Sequence, residues 1–276
     1  MSNRDYIDDL TLMLMYLTAW EEGSGENACL RTWKGYDFDS LNRLADAGYI
    51  EGSQKAKSDY LTEEGARRAI ELCEHYGMSE SDIHGRPSFR IKLDFNFTEL
   101  TCMREILVPQ DLSFDDLHTI IQACIGWLNY HLYDFRTVVN GKEAKIAIPD
   151  DEFYPDPSIE EFDSRTILLS DVFPRTRNAL YSYDYGDGWE IRMKICKGDG
   201  YVLNGNSPFC IAASGDAPPD DVGGEGGFMR FLQIIKNADD PDHDEMVAWG
   251  EGQGFEHVDR DSINRRLEQW EEFRAL

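Results

Sequence analysis

One stretch constrains the fold more than any other, because apolar and polar residues alternate on both sides of a glycine-rich bend. It spans residues 181–195 and reads Y-S-Y-D-Y-G-D-G-W-E-I-R-M-K-I. Such alternation predicts a β-hairpin. A three-residue loop, 186–188, would place Tyr185 opposite Trp189 and keep one face apolar, whereas a two-residue loop would mix both faces. The pattern therefore predicts the three-residue loop and an apolar face that lies on a core.

The residues around this hairpin predict a larger domain of the α+β class over residues 85–276. Alternation over residues 89–97 predicts a strand, and residues 104–108 predict its hairpin partner. Ser113 begins a helix with a capping-box pattern, and Asn140-Gly141 is a strong turn signal for a second hairpin. We expect an antiparallel or mixed sheet with helices packed against it.

The first 84 residues have a different pattern and predict a small winged-helix-like domain. Three helical segments, 5–22, 38–49 and 62–76, surround a short hairpin, or wing, around residues 52–57. In the first helix the apolar residues expected to face the core are Ile7, Leu10, Leu14 and Leu17. Together these segments make residues 1–84 one domain and residues 85–276 a second.

Many winged helices bind DNA, so the charge of this domain bears on its role. Residues 1–84 carry eight basic and 17 acidic side chains. The basic side chains placed for contact with phosphate are Arg31, Lys34, Arg43, Lys55 and Lys57. The sequence favours a structural or protein-contacting module, and DNA binding through this domain alone is the alternative.

The composition of the whole chain limits its partners and its compartment. With 27 basic and 53 acidic residues the net charge is −26, which repels nucleic acid and anionic membranes and favours a partner of basic character. The six cysteines are widely spaced and form no C-x-x-C pair, as expected for free thiols in the cytoplasm. No apolar run approaches the length of a membrane span, and the N-terminus has no apolar signal core.

A group of polar and aromatic residues at predicted turns forms a candidate binding pocket. Its members are His131, Asp184, Asp187, Trp189, Asp220, Asp221 and His243. If the loops gather at one end of the sheet, these side chains could bind a divalent cation or a cationic ligand. The alternative is structural, since aspartates satisfy backbone donors in turns and favour the first turn of a helix. His131 itself is expected to point inward at the start of a strand.

Five motifs within residues 86–270 resemble those of the Ri-plasmid ORF-three-like proteins, also described as insertion-element passenger proteins. In order they are L-H-T-I-I-Q-A-C-I-G-W, H-L-Y-D-F, Y-D-Y-G-D-G-W, P-P-D-D-V-G-G-E-G-G-F and D-P-D-H-D-E. The family motif usually continues with a histidine two residues after the hairpin tryptophan, where this chain has Ile191. The resemblance implies a mobile-element context and no established activity. Residues 1–84 resemble a bacterial domain of unknown function.

No catalytic signature accompanies these features. The chain has no H-E-x-x-H, no G-x-S-x-G and no Gly-Lys-Ser/Thr phosphate loop. We therefore expect a cytoplasmic binding protein without a cofactor or catalytic residues, which recognises a protein or a small ligand. DNA binding through the wing and metal-dependent hydrolysis by the acidic loops are the alternatives.

Overall fold

The computed structural model describes residues 3–22, 29–52, 56–79, 83–149, 158–197, 201–203 and 207–275. Lys55, one of the predicted DNA contacts, lies outside the described residues. The chain forms two compact units, Met1–Gly85 (unit 1) and Arg86–Leu276 (unit 2). None of the described helices has the length and apolar character to cross a bilayer.

Unit 1 combines helices with a small antiparallel sheet. Its described elements are α1 (Asn3–Leu17), β1 (Trp20–Glu22), β2 (Cys29–Trp33), α2 (Phe38–Asp46), β3 (Ile50–Glu51), β4 (Ser58–Leu61) and α3 (Glu63–His75). The strand order is β1-β2-β4-β3. As expected from the sequence, Asp37 caps α2 and Thr62 caps α3 through their side chains. The hairpin of β1 and β2 was not predicted, and the winged-helix nature of the unit stays a prediction.

The buried face of α1 is not the expected one. Ile7, Leu10 and Leu14 are about half exposed, whereas Leu12 and Met15 are buried. The helix packs against α2 and α3. Because α1 carries apolar residues all around its circumference, apolar spacing alone did not identify the face that contacts the core.

Unit 2 is an α+β domain, which confirms the predicted fold class. Its described elements are β5 (Arg86–Phe95), β6 (Met103–Pro109), α4 (Phe114–Ile125), β7 (Tyr133–Val139), β8 (Lys142–Ala147), β9 (Glu160–Asp163), α5 (Leu169–Val172), β10 (Asn178–Tyr183), β11 (Trp189–Ile195), β12 (Tyr201–Leu203), β13 (Phe209–Ser214), α6 (Gly224–Lys236), α7 (His243–Gly252), α8 (Arg260–Glu268) and a 3₁₀ helix (Trp270–Ala275). The nine strands form one sheet ordered β13-β6-β5-β11-β10-β7-β8-β9, with β12 also paired to β5. All pairings are antiparallel except that of β8 with β9.

Helix α4 is the centre of the core of unit 2. Ser113 and Asp116 form the predicted capping box at its start. Nearly every residue of the helix is buried, and it also packs against α8 and the 3₁₀ helix. It ends at Gly126, whose φ of 95° is accessible to glycine at low cost. The helix therefore ends before Trp127, and the loop that follows leads to β7.

The central hairpin has a different register from the predicted one. Tyr183 pairs with Trp189, so the loop has five residues, 184–188, and the expected pairing of Tyr185 with Trp189 is wrong. The two registers differ by two residues, and the side chains of a strand alternate with a period of two. Tyr183 and Trp189 therefore still share the buried face, as expected.

Asp184 explains the longer loop. Its φ is 51°, which takes the chain out of the strand conformation. Its side chain accepts hydrogen bonds from the N–H groups of Gly186 (2.9 Å) and Asp187 (3.3 Å), and its carbonyl accepts from Gly188 N–H (2.6 Å). The loop is thus an Asx-type turn, and Tyr185 is exposed instead of joining the apolar face.

Candidate functional site

Three loops of unit 2 meet at the end of the sheet where β7 begins and β10 ends. They are residues 126–132, 184–188 and 217–223. Hydrogen bonds join the loops in pairs: Asp184 N–H to the Leu132 carbonyl (3.1 Å), Gly223 N–H to Asp187 Oδ2 (3.0 Å) and Trp127 Nε1–H to the Pro218 carbonyl (2.9 Å). These bonds hold polar side chains from distant parts of the chain next to one another.

Three of the predicted pocket residues converge between these loops. Nε2 of His131 lies 3.1 Å from Oδ1 of Asp221 and 3.6 Å from Oδ2 of Asp184. One ligand atom from each residue lies within 4.8 Å of the others. The Nε2 atom of His131 is shielded from solvent and forms no hydrogen bond to a described residue. We refer to His131, Asp184 and Asp221 as the acid–imidazole cluster.

His131 is partly turned inward, as expected, but it does not lie at the start of the strand. Strand β7 begins only at Tyr133, and His131 lies in the loop before it. Its side chain is 28% exposed and faces two carboxylates, while the edge of its ring contacts Tyr183 at 5.7 Å between centroids. The residue is thus held at the rim of the core by an aromatic contact.

The orientation of Asp184 follows from its backbone. Oδ1 accepts the N–H groups of its own loop, which leaves Oδ2 to face His131. Asp221, the other carboxylate of the cluster, also has a positive φ, 57°, and is exposed. One buried and one exposed carboxylate therefore flank the same imidazole nitrogen.

Asp220 is the buried acid of the site. It is fully inaccessible to solvent, and its Oδ2 accepts the Leu128 N–H at 2.6 Å. Its Oδ1 has no well-aligned hydrogen-bond partner among the described residues. Burial raises the pKa of this carboxyl group, partly offset by the Leu128 N–H and the nearby Tyr183 and His131. The Tyr183 hydroxyl also hydrogen-bonds this carboxyl group, so the cost of burying the charge is only partly offset within the protein.

The other predicted pocket residues have different positions. Asp187 joins two loops through its carboxylate, and Trp189 is buried below the site, where its ring contacts Phe95 and Phe97 edge-on. His243 lies at the start of α7, where its Nδ1 is 3.2 Å from the Ile234 carbonyl. Among the described residues His243 contacts no member of the acid–imidazole cluster.

Aromatic rings form the floor of the site. The ring of Trp127 stacks on Tyr183 with a centroid distance of 4.6 Å and an interplanar angle of 25°. Burial beside Asp220 raises the pKa of the Tyr183 hydroxyl. The Tyr183 oxygen accepts the Tyr130 N–H at 3.2 Å. Tyr183 thus connects the hairpin to the loop that carries His131.

A closed ring of buried hydrogen bonds supports this loop, and no sequence pattern predicted it. Asn129 Oδ1 is 2.7 Å from His118 Nε2, His118 Nδ1 is 2.8 Å from the Tyr181 hydroxyl, and Gln122 Nε2 donates to that hydroxyl at 3.0 Å. Asn129 N–H donates to Gln122 Oε1 at 3.0 Å and closes the ring. An amide oxygen can only accept, so His118 donates from Nε2–H and accepts from Tyr181 at Nδ1.

Burial keeps His118 neutral, although its hydrogen bond to Asn129 acts in the opposite direction on the pKa. Burial lowers its pKa from the usual 6.5 to about 4, and its ring stacks on Tyr133 with centroids 3.6 Å apart. All its hydrogen-bonding capacity is used inside the protein. His118 therefore positions the loop before β7 and is not a ligand of the site.

The predicted DNA contacts of unit 1 are engaged by carboxylates. Arg31 forms an ion pair with Glu22, and its guanidinium lies 5.0 Å from the centroid of the Tyr60 ring. Lys34 Nζ lies 2.7 Å from Asp59 Oδ1, and Arg43 Nε lies 2.6 Å from Asp8 Oδ2. Lys57, by contrast, has no ion-pair partner among the described residues. These ion pairs reduce the positive charge available to phosphate.

The fold and the site define an α+β protein with an acid–imidazole cluster at the loop end of its sheet. Residues 87–265 match the model of the plasmid pRiA4b ORF-3-like proteins, so the chain belongs to that family. Residues 3–79 match a domain of unknown function, DUF6429.

Two proteins of one bacterium and one solved structure are similar to parts of this chain. The uncharacterized protein y4hQ of Sinorhizobium fredii is 32% identical over 162 residues, which cover 58% of this chain and 79% of y4hQ. The uncharacterized protein y4hR of the same organism is 39% identical over 71 residues, 25% of this chain and 86% of y4hR. A crystal structure of a protein of unknown function, MM3350 from Methanosarcina mazei Go1, superposes with a TM-score of 0.54 at 29% identity and covers 64% of this chain and 97% of that one.

The buried charge of Asp220 predicts that Asp220→Asn stabilises the protein in the presence of a chelator. The amide keeps an acceptor for Leu128 N–H and removes the buried charge, so we expect the free energy of unfolding to rise by about 1 kcal/mol at pH 8. A carboxyl group with a raised pKa destabilises the fold as pH rises through that pKa, so the gain should shrink at pH 4, near the ordinary value of 3.8. Urea unfolding at both pH values measures it, and a variant destabilised at pH 8 would contradict the argument.

The lowered pKa of His118 predicts that the folded protein loses stability in mild acid. Its folded pKa of about 4 lies below the usual 6.5, so the unfolded chain takes up the proton first, and stability falls as pH drops below 6.5. Between pH 7.5 and 5 this loss should be about 2 kcal/mol. In His118→Gln the free energy of unfolding at pH 7.5 should be about 1–3 kcal/mol lower, with a shallower pH dependence. Equal slopes for both proteins in urea unfolding would refute this role.

Proposed function

We propose that the protein is a binding protein whose unit 2 holds a divalent cation at the acid–imidazole cluster. The observation that carries this proposal is the convergence of His131, Asp184 and Asp221 within 4.8 Å, next to the fully buried carboxylate of Asp220. A cation would compensate the negative charge of Asp184, Asp220 and Asp221 together. It would also bind Nε2 of His131, which has no well-aligned hydrogen bond among the described residues.

The spacing of the ligand atoms supports a cation of first-row size. Ligand atoms at about 2.1 Å from one ion are roughly 3.0–3.4 Å apart in octahedral or tetrahedral geometry. The two distances from His131 Nε2, 3.1 Å and 3.6 Å, are close to this range. An imidazole with carboxylates is a donor set that favours Zn²⁺ or Mn²⁺ over Ca²⁺ and Mg²⁺, which prefer oxygen ligands alone.

We propose that the protein acts in the cytoplasm and binds a partner of basic character. All six cysteines are free, which suits a reducing compartment. The net charge of −26 favours a protein or small ligand of opposite charge. The plasmid family to which the chain belongs supports a mobile-element context. The winged-helix reading of unit 1 fits a protein-contacting role, because its arginines and lysines are largely paired with acids.

Metal-dependent hydrolysis is the second candidate, and one observation favours it. Asp220 has a raised pKa and lies next to Asp221 and near His131. Carboxyl groups in such an environment serve as general acids or bases beside a metal-bound water. A hydrolase must convert a substrate into product, whereas a binding protein need only bind its ligand.

The leading proposal predicts a single specific cation site. Titration of the chelated and dialysed protein with Zn²⁺ or Mn²⁺ should show one tight equivalent by calorimetry and a rise in melting temperature. Asp221→Asn and His131→Ala should each weaken that site at least about tenfold, because each removes one of three ligands. Asp244→Asn, which removes one exposed acid from α7, is the charge-matched control.

The results of these titrations and of a hydrolysis assay distinguish the binding protein from the hydrolase. Equal affinities for Asp221→Asn and Asp244→Asn, or no binding of either ion, would rule out the proposed site. Metal-dependent turnover of p-nitrophenyl phosphate or acetate that disappears in Asp220→Asn would instead establish the hydrolase.

For unit 1 we expect no retardation of duplex DNA in a gel, even at low salt. Arg31, Lys34 and Arg43 are paired with carboxylates, and the net charge of residues 1–84 repels phosphate. Retardation by the full-length protein that is abolished by Lys57→Glu, but not by Arg67→Glu on the surface of α3, would establish the DNA-binding alternative.

A further inference from the structure

Two adjoining cavities open next to the acid–imidazole cluster. The smaller has a volume of about 430 Å³ and is lined by His131. The larger has a volume of about 540 Å³ and is lined by Tyr185, the neighbour of Asp184. Both include Leu132, Tyr133 and Ile148 in their walls, so one ligand could extend from one cavity into the other. Each volume lies within the range of small-molecule sites, about 300–1,000 Å³.

The smaller cavity contains more positive than negative side chains, in contrast to the acidic chain as a whole. Arg165 and Arg274 line it, and Asp115 is its one carboxylate. Asp115 already accepts the Tyr133 hydroxyl at 2.6 Å. The two guanidinium groups thus bring N–H donors into one cavity of a protein of net charge −26.

Both arginines are held in place but keep free donors. Asp163 binds Arg165 through Nε (2.9 Å) and Nη2 (2.7 Å). Arg274 is paired with Asp116, and its guanidinium lies 5.0 Å from the centroid of the Trp270 ring. Their side chains remain 55% and 47% exposed. A guanidinium group has five N–H donors in a fixed plane, so the remaining donors can bind a carboxylate or a phosphate.

The larger cavity provides the apolar surface. Leu132, Ile148 and Tyr185 line it and are 64%, 47% and 55% exposed. Exposed apolar side chains that share one concave wall commonly mark a ligand site. The Tyr185 hydroxyl donates to Asp134 at 2.7 Å, which holds the ring in position.

The charges of the larger cavity do not favour an anionic group there. Its charged lining residues are Asp134, Arg136, Lys145, Glu161 and Asp163. Because acids outnumber bases in this set, an anion is better accommodated between the two arginines of the smaller cavity.

We propose that the paired cavities bind a small organic anion. Its carboxylate or phosphate group lies between Arg165 and Arg274, and its apolar or aromatic body extends over Leu132 and Ile148 towards Tyr185. This ligand class deepens the proposed cation-binding function, because the anionic group would lie next to His131. The arginine N–H groups that Asp163 and Asp116 do not use provide the hydrogen bonds for binding, so the anion site does not depend on a bound cation.

Calorimetry with four probes tests this assignment in the presence of a chelator. Phenyl phosphate and benzoate carry an anionic group and a ring, inorganic phosphate carries the group alone, and benzyl alcohol carries the ring alone. We expect phenyl phosphate or benzoate to bind and to be weakened by salt, with inorganic phosphate and benzyl alcohol weaker by about tenfold or more. Whichever of the two ring-bearing anions binds more tightly identifies the anionic group as phosphate or carboxylate.

Matched variants locate the site. Arg165→Gln and Arg274→Gln should each weaken the better ring-bearing anion about tenfold, whereas Arg230→Gln, an exposed arginine of α6, should not. Ile148→Ala should remove the advantage of the ring over inorganic phosphate. Absence of binding by both ring-bearing anions, equal binding of benzyl alcohol, or unchanged affinity in both cavity arginine variants would overturn the proposal.

Comparison with the cation titration distinguishes the two proposals. Anion binding in chelator together with no cation binding would leave the anion site in place and remove the proposed cation site. Cation binding without anion binding would leave the proposed cation site in place and remove the anion site. The wild-type comparison of charged and neutral probes remains decisive even if a variant fails to fold.

Discussion

The stacking of Trp127 on Tyr183 is the contact on which the site depends. Tyr183 ends β10 and pairs with Trp189 across the hairpin, whereas Trp127 follows the last turn of α4 and donates its indole N–H to the Pro218 carbonyl. One aromatic pair therefore connects the core helix, the central hairpin and the loop before α6. Buried aromatic pairs contribute packing and a preferred geometry at the same time. Because the three loops share this contact, the side chains at their tips cannot move independently.

Local signals predicted the elements of unit 2 well because each depends on nearby residues. The capping box of Ser113 and Asp116, the turn at Asn140-Gly141 and the alternation of β5 all appear in the structure. The exposed position of Tyr185 could not be read from alternation, since it depends on how the side chain of Asp184 satisfies its own turn. The orientation of α1 was likewise missed because apolar residues occur on both of its faces.

For the candidate site, too, the sequence predicted local features better than contacts between distant residues. Its residue types could be listed from the sequence, but convergence is a long-range property. His131, Asp184 and Asp221 come together through the hydrogen bonds between their loops, whereas His243 has similar acidic neighbours in sequence and lies elsewhere. The polar ring around His118 was not foreseen because its closure depends on Tyr181, which lies on another element.

Positive φ outside glycine is concentrated at this end of the sheet among the described residues. The described residues outside glycine with positive φ are Asn129, Asn140, Asp184 and Asp221. Asn140 is explained by its hairpin turn, but the other three lie in the loops of the candidate site. Asn and Asp adopt positive φ more readily than other residues outside glycine, and Asp184 is held in it by the hydrogen bonds of its own side chain. The three residues coincide with the buried carboxylate of Asp220, which adds a cost of its own. Under the proposed function a bound cation would offset that cost.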